Sequence, residues 1–182
     1  MRKIIGLLFA GFAVFMPSFA QGDYHLNSGL RFKKYAGFYW TNGVSVNASS
    51  SKISNHSVQL GFSFGSSLMG SAMTANALST YETELSVAKF YRTNKMVQPF
   101  LKLNFGAAFV SYGEDAELFS GLPTAMKLCS FEPGVSIEIP KSNNHLMLQI
   151  SGGYNLFYGD GYTGLGTVYP IYGLIGMNYR FK

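Results

Sequence analysis

Val58-Gln59-Leu60-Gly61-Phe62-Ser63-Phe64-Gly65 alternates apolar residues with small or polar ones without a break. Successive side chains of a β-strand point to opposite faces, so this run predicts a strand between two unlike surroundings. Val58, Leu60, Phe62 and Phe64 share one face. Gln59, Gly61, Ser63 and Gly65 share the other, with Ser57 just before them.

The same pattern recurs on both sides of this stretch. Phe38, Trp40, Val44 and Val46 oppose Gly37, Tyr39, Thr41, Gly43, Ser45 and Asn47. Leu101, Leu103, Phe105, Ala107 and Phe109 oppose Lys102, Asn104, Gly106 and Ala108. Phe131, Val135, Ile137 and Ile139 oppose Ser130, Glu132, Gly134, Ser136 and Glu138. Leu146, Leu148, Ile150, Tyr154 and Leu156 oppose Gln149, Ser151, Gly153 and Asn155. Ile171, Ile175, Met177, Tyr179 and Phe181 oppose Tyr172, Gly176, Asn178 and Arg180. Two strands are less regular. Tyr24, Leu26, Leu30 and Phe32 oppose His25, Asn27, Gly29 and Arg31. Tyr81, Leu85, Val87 and Tyr91 oppose Glu82, Glu84, Ser86 and Arg92, with Lys89 on the apolar face near the strand end, where a lysine can snorkel.

In a soluble sandwich the polar faces meet water, and Lys and Glu should crowd them. Here they carry mostly Gly, Ser, Asn, Gln and Thr. Small and polar residues suit a narrow barrel interior, and bulky apolar ones suit its lipid-facing outside. A sheet in lipid must close, because an open edge leaves backbone groups unpaired. The expected fold is therefore all-β: an eight-stranded antiparallel up-and-down transmembrane β-barrel. The few inward charges should pair, and Glu82, Glu84, Glu132 and Glu138 facing Arg92, Lys102 and Arg180 predict an interior polar network.

Connections at Ala48–Asn55, Thr93–Lys95 and Pro140–Asn144 are expected on the periplasmic side. Those at Lys33–Ala36, Ser67–Ser79, Gly113–Pro123 and Tyr158–Tyr169 are expected outside. Tyr24, Trp40, Tyr81, Tyr91, Tyr112, Tyr169, Tyr179 and Phe181 fall near strand ends, as interfacial girdles require.

The chain opens with Arg2 and Lys3, an apolar Ile4–Met16 run and small residues at Ser18 and Ala20. That predicts a secretory signal peptide over residues 1–20, cleaved after Ala20, with the outer-membrane barrel over 21–182. The apolar run is too short for a membrane anchor. Loss of Arg2 and Lys3 from 14 basic groups leaves 12 against nine acidic ones. That mild balance gives no reason to expect nucleic acid. The single cysteine, Cys129, excludes an intramolecular disulfide, and its place on the apolar face predicts a quiet buried thiol.

Chemistry-bearing motifs are sparse. His25, His56 and His145 map to periplasmic ends without metal-ligand spacing, so exposed turn histidines are expected. His56-Ser57 is the adjacent pair that a lipid-acting enzyme could use, with Ser57 expected to face the lumen. Gly159–Gly166 looks like a phosphate loop but precedes a strand, so turn glycines are expected. Asp160 alone is too little for a calcium site. Glu114, Asp115 and Glu117 make one outer loop acidic. No catalytic residue, cofactor or metal is expected.

The final strand, Gly173–Phe181, resembles the C-terminal signature that assembly machinery reads in outer-membrane barrels, with Lys182 following its aromatic. From Asn76 to Phe181 the chain resembles small outer-membrane β-barrel proteins of Bacteroidetes-type bacteria. The matching stretches are Asn76–Leu78, Gln98–Asn104, Ser111–Glu114, Gly153–Leu156, Gly159–Gly161 and Gly166–Pro170. The resemblance implies residence in the outer membrane among its lipids, delivery by the barrel assembly machinery through the strand ending at Phe181, and outer loops free to meet an extracellular partner. It implies no activity. The expected role is non-enzymatic, envelope-structural or loop-mediated. The alternatives are a lipid-modifying enzyme of the outer membrane and a soluble exported barrel carrying a small apolar ligand.

Overall fold

The structure is a computed structural model that describes residues 24–35, 40–69, 78–111, 124–140, 145–156 and 170–181. Eight strands follow in order: β1 (Tyr24–Tyr35), β2 (Trp40–Ser50), β3 (Val58–Met69), β4 (Leu78–Phe90), β5 (Val97–Ser111), β6 (Ala125–Glu138), β7 (Leu146–Asn155) and β8 (Ile171–Phe181). Each pairs antiparallel with the next. β8 returns to β1, from Leu26 opposite Phe181 to Tyr35 opposite Tyr172, and closes the barrel. No helix among the described residues is long and apolar enough to cross a membrane.

The period of two carries through every ladder. Val44, Phe64 and Thr83 follow one another across β2, β3 and β4, while Ser45, Ser63 and Glu84 form the neighbouring inward row. The outward side chains stay exposed: Leu60 by 61%, Leu85 by 63% and Ile175 by 51%. The inward ones are buried although polar, including Asn27, Ser45, Ser63, Glu82, Glu84, Asn104, Glu132 and Asn178. This is the inverse of a water-soluble domain, and it is what a lipid-facing wall around a polar lumen requires. Tyr24, Trp40, Tyr81, Tyr91, Tyr179 and Phe181 are exposed close to strand ends. Tyr112 and Tyr169 lie outside the described residues, as do the signal segment and the outer loops with Glu114, Asp115, Glu117 and Asp160.

Several sequence expectations need adjustment. Lys33, expected in the first connection, belongs to β1 and points inward, buried. The connection expected at Ala48–Asn55 is shorter, because β2 runs on to Ser50 and one helical turn, α1 (Ser51–Ser54), fills the rest. Asn55 and His56, both with left-handed φ, reverse the chain into β3. β3 and β4 likewise extend into the connection expected at Ser67–Ser79. Cys129 keeps the expected outward parity, opposite Phe105, and is buried as expected.

Pro133 leaves a mark on the sheet. It has no N–H to give, and the β6–β7 pairing skips from Phe131 opposite Tyr154 to Gly134 opposite Ser151. The ladder keeps its register on both sides of this gap. Gly152 and Gly153 stand on the β7 side of it.

Candidate functional site

The lumen is layered. Near the short-turn end, Phe90 and Phe100 meet with ring centroids 5.2 Å apart, beside Ala88. Near the long-loop end, Tyr35, Val110, Met126, Leu128 and Leu174 are buried. Between these apolar layers sits a charged belt in two groups.

The first group crosses the lumen from β1 to β4. Arg31 Nη1 meets Glu84 Oε2 at 2.9 Å, and Lys33 Nζ meets Glu82 Oε2 at 3.1 Å and Glu84 Oε1 at 2.5 Å. Ser63 of β3 donates to the same Glu84 carboxylate and contacts Arg31. The second group centres on Glu132, which is fully buried. Its carboxylate takes Lys102 Nζ at 2.5 Å, Asn104 Nδ2 at 3.0 Å, Ser151 Oγ at 2.8 Å and the Tyr172 hydroxyl at 3.1 Å. Tyr172 joins the two groups, because Lys33 Nζ lies 4.5 Å from its ring centroid. A third, smaller contact lies towards the short-turn end, where Glu138 Oε1 meets Arg180 Nη1 at 3.3 Å and Gln98 Nε2 at 3.1 Å.

A charge in such surroundings is costly unless it is paired and its remaining hydrogen-bonding groups are satisfied. Of the predicted residues, Glu82 and Glu84 join the first group, Lys102 and Glu132 the second, and Glu138 and Arg180 the third contact. The geometry does not bring in Arg92, which is a correction. Arg92 is exposed in the turn after β4 with φ 56°, so the strand parity that put it inside has already ended. Sequence reasoning left out Arg31, Lys33, Asn104, Ser151 and Tyr172 as partners. Continued alternation past Phe32 was the available signal for Lys33.

Glycines make room for this belt. A Cβ at Gly153 would fall on the Tyr172 ring, and one at Gly134 would stand 2.5 Å from Phe100 Cζ and 2.6 Å from Ser151 Cβ. What space remains is small. Two cavities, of about 10 and about 20 Å³, flank Arg31. Each has room for about one or two water molecules.

The histidines do not converge on a catalytic or metal centre. His25 and His56 stack with centroids 3.7 Å apart, and His56 Nδ1 faces Ser49 Oγ at 3.2 Å. Burial, and after it the Arg180 charge, pushes the His56 imidazole below its ordinary value. Ser57 was expected to face the lumen. Its hydroxyl instead donates to the Ser54 carbonyl at 2.7 Å and accepts from the outward Lys89 at 2.7 Å. His145 bonds the Arg180 carbonyl at 2.9 Å. No group of three His, Cys, Asp or Glu among the described residues could hold a metal ion.

No protein-family model matches the chain, and no curated protein is similar to it in sequence. Solved structures do share its fold. Neisserial surface protein A (NspA) superposes with a TM-score of 0.53 at 15% identity, over 87% of this chain and 96% of that one. The outer membrane protein OprG from Pseudomonas aeruginosa superposes with a TM-score of 0.54 at 11% identity, over 88% of this chain and 96% of that one. At this identity the likeness is one of fold: a small closed barrel of matching extent.

Proposed function

We propose that the chain is an integral outer-membrane barrel with a plugged lumen, serving the envelope structurally or through its long connections rather than by conduction or catalysis. One observation carries this reading. The wall is apolar outside, while the lumen is filled by a paired charge belt between two apolar layers. The outside fits lipid, and the inside is occupied by buried side chains, with two cavities of about 10 and about 20 Å³ beside Arg31. The resemblance of Gln98–Asn104, Gly153–Leu156 and the other quoted stretches supports a place among the small barrels of Bacteroidetes-type bacteria. The strand ending at Phe181 is then the part offered to the assembly machinery, and the loops at the other end are the parts offered to an extracellular partner.

Planar-bilayer recording tests the plug. Near-background conductance is expected, and steady large openings would overturn it. The ligand-carrier alternative needs an apolar lumen, whereas Glu132, Lys33 and Glu84 lie buried there. The lipid-modifying alternative needs His56 and Ser57 to act together, whereas each is engaged elsewhere. Unchanged acyl-chain composition on overexpression is the expected result.

A further inference from the structure

We propose that the foot of the β4–β5 hairpin binds the headgroup of an anionic glycerophospholipid, through Lys89, Arg92 and Lys95 beside the Ser57 hydroxyl. The proposal rests on the membrane-barrel reading above.

Outward positions of β4 run Tyr81, Thr83, Leu85 and Val87 before reaching Lys89. Lys89 stands between Val58 on β3 and Leu101 on β5. An ammonium on a lipid-facing wall must reach the headgroup layer, and at the last turn of a strand it can. Its Nζ donates to Ser57 Oγ at 2.7 Å, and that hydroxyl spends its own proton on the Ser54 carbonyl. An ammonium has three N–H bonds, so two remain for a ligand. Tyr91, half exposed on the same face, sits where an interfacial aromatic belongs.

The turn then adds two more cations. Arg92 takes a left-handed φ of 56°, and the Lys95 N–H closes the turn on the Arg92 carbonyl at 2.9 Å. From inside the lumen, the buried Gln98 amide donates to the Thr93 and Lys95 carbonyls, both at 3.1 Å. The tip is thus clasped from within, and Arg92 and Lys95 stay exposed. Among the described residues, none of the three cations has a carboxylate partner. The ion pairs of Arg31, Lys33, Lys102 and Arg180 lie inside the lumen. By contrast, Lys34 near the other end rests over the Trp40 ring, 5.1 Å from its centroid.

Three cations with no carboxylate partner among the described residues, one with a preset hydroxyl neighbour, attract the single negative charge of a phosphate diester and offer N–H donors to its oxygens. Short turns of such barrels face the periplasm, the phospholipid side of the membrane. A zwitterionic lipid carries its own ammonium and cancels much of the attraction. Each cation near an anionic surface contributes roughly fivefold in affinity.

The test uses the whole mature barrel, refolded into phosphatidylcholine bilayers with and without a minor fraction of phosphatidylglycerol. Heat-dependent gel mobility reports insertion, and native mass spectrometry after mild extraction reports retained lipid. Wild type should retain phosphatidylglycerol over phosphatidylcholine by roughly tenfold or more. The variant K89Q/R92Q/K95Q should fall to near parity, while K34Q/K127Q, which changes Lys34 and the exposed Lys127 of β6 opposite Ala107, both towards the long-loop end, keeps the preference. Insertion into phosphatidylcholine with no enrichment in wild type, or enrichment that survives in the triple variant, overturns the site alone. Failure to insert into either bilayer overturns the membrane reading and the site with it.

Discussion

Replacing Glu132 by alanine removes the carboxylate paired with Lys102 and strips Asn104, Ser151 and Tyr172 of one acceptor each. The Lys102 side chain is only 11% exposed, so its ammonium would be left charged, enclosed and unpaired. Breaking a buried pair from one side costs about 3–5 kcal/mol. The neutral bonds that survive, Asn104 to Ser130 and Ser130 to Tyr172, offset little of this. Removing the stranded charge as well, with Lys102→Met, should recover at least about 2 kcal/mol, because a neutral pair owes no desolvation. Urea unfolding in lipid vesicles measures both variants. Trp40 is the single tryptophan, outward-facing and 54% exposed, so its fluorescence reports loss of the lipid environment. A cost below about 1 kcal/mol for the single variant, or a double variant no more stable than the single, would refute the account of the belt as a paired charge system.

Three other perturbations probe separate features. Leu85→Arg puts a charge in the middle of the outward face and should cost about 2–4 kcal/mol in lipid; an unchanged urea midpoint would mean that this face meets water. Gly153→Ala pushes a methyl into the Tyr172 ring and should cost about 1–3 kcal/mol, whereas Gly173→Ala, with nothing within 4 Å of its added Cβ, should be neutral by the same unfolding assay. The folded protein holds His56 below its ordinary 6.5, so the unfolded chain binds the proton first as pH falls and stability drops from about pH 6.5 downward; unfolding midpoints of wild type and His56→Gln across that range should diverge, and parallel pH profiles would remove the effect.

The wall of this barrel was open to sequence reasoning because lipid and lumen demand opposite chemistry at alternate positions. Val58 to Gly65 shows both faces within eight residues, and the β3 ladders keep that parity. The lumen was legible only as a list of inward residues. Whether Glu84 meets Arg31 or Lys102 depends on strand tilt and on which walls face each other across the barrel, and neither leaves a trace in a single strand. Lys33-Lys34 reads as the start of a turn, although β1 runs on to Tyr35 and keeps Lys33 inside. Arg92 continues the alternation of β4 on paper, although the backbone has left the strand there with φ 56°. The turn after β2 was misjudged for a related reason: Ser51–Ser54 is too short for helical periodicity to show.

The charge belt has a bearing on assembly. Strand pairing is local, since each strand up to β8 finds its ladder on the strand before it. Charge pairing is not, because Arg31 and Lys33 on β1 reach Glu82 and Glu84 on β4 across the lumen rather than along the sheet. A growing sheet therefore satisfies its backbone strand by strand while these four side chains stay apart until it curls. Their attraction rewards curvature, so the belt acts as a latch on closure, drawing β1 over towards β4 and bringing the free edge of β1 round to where β8 must join it.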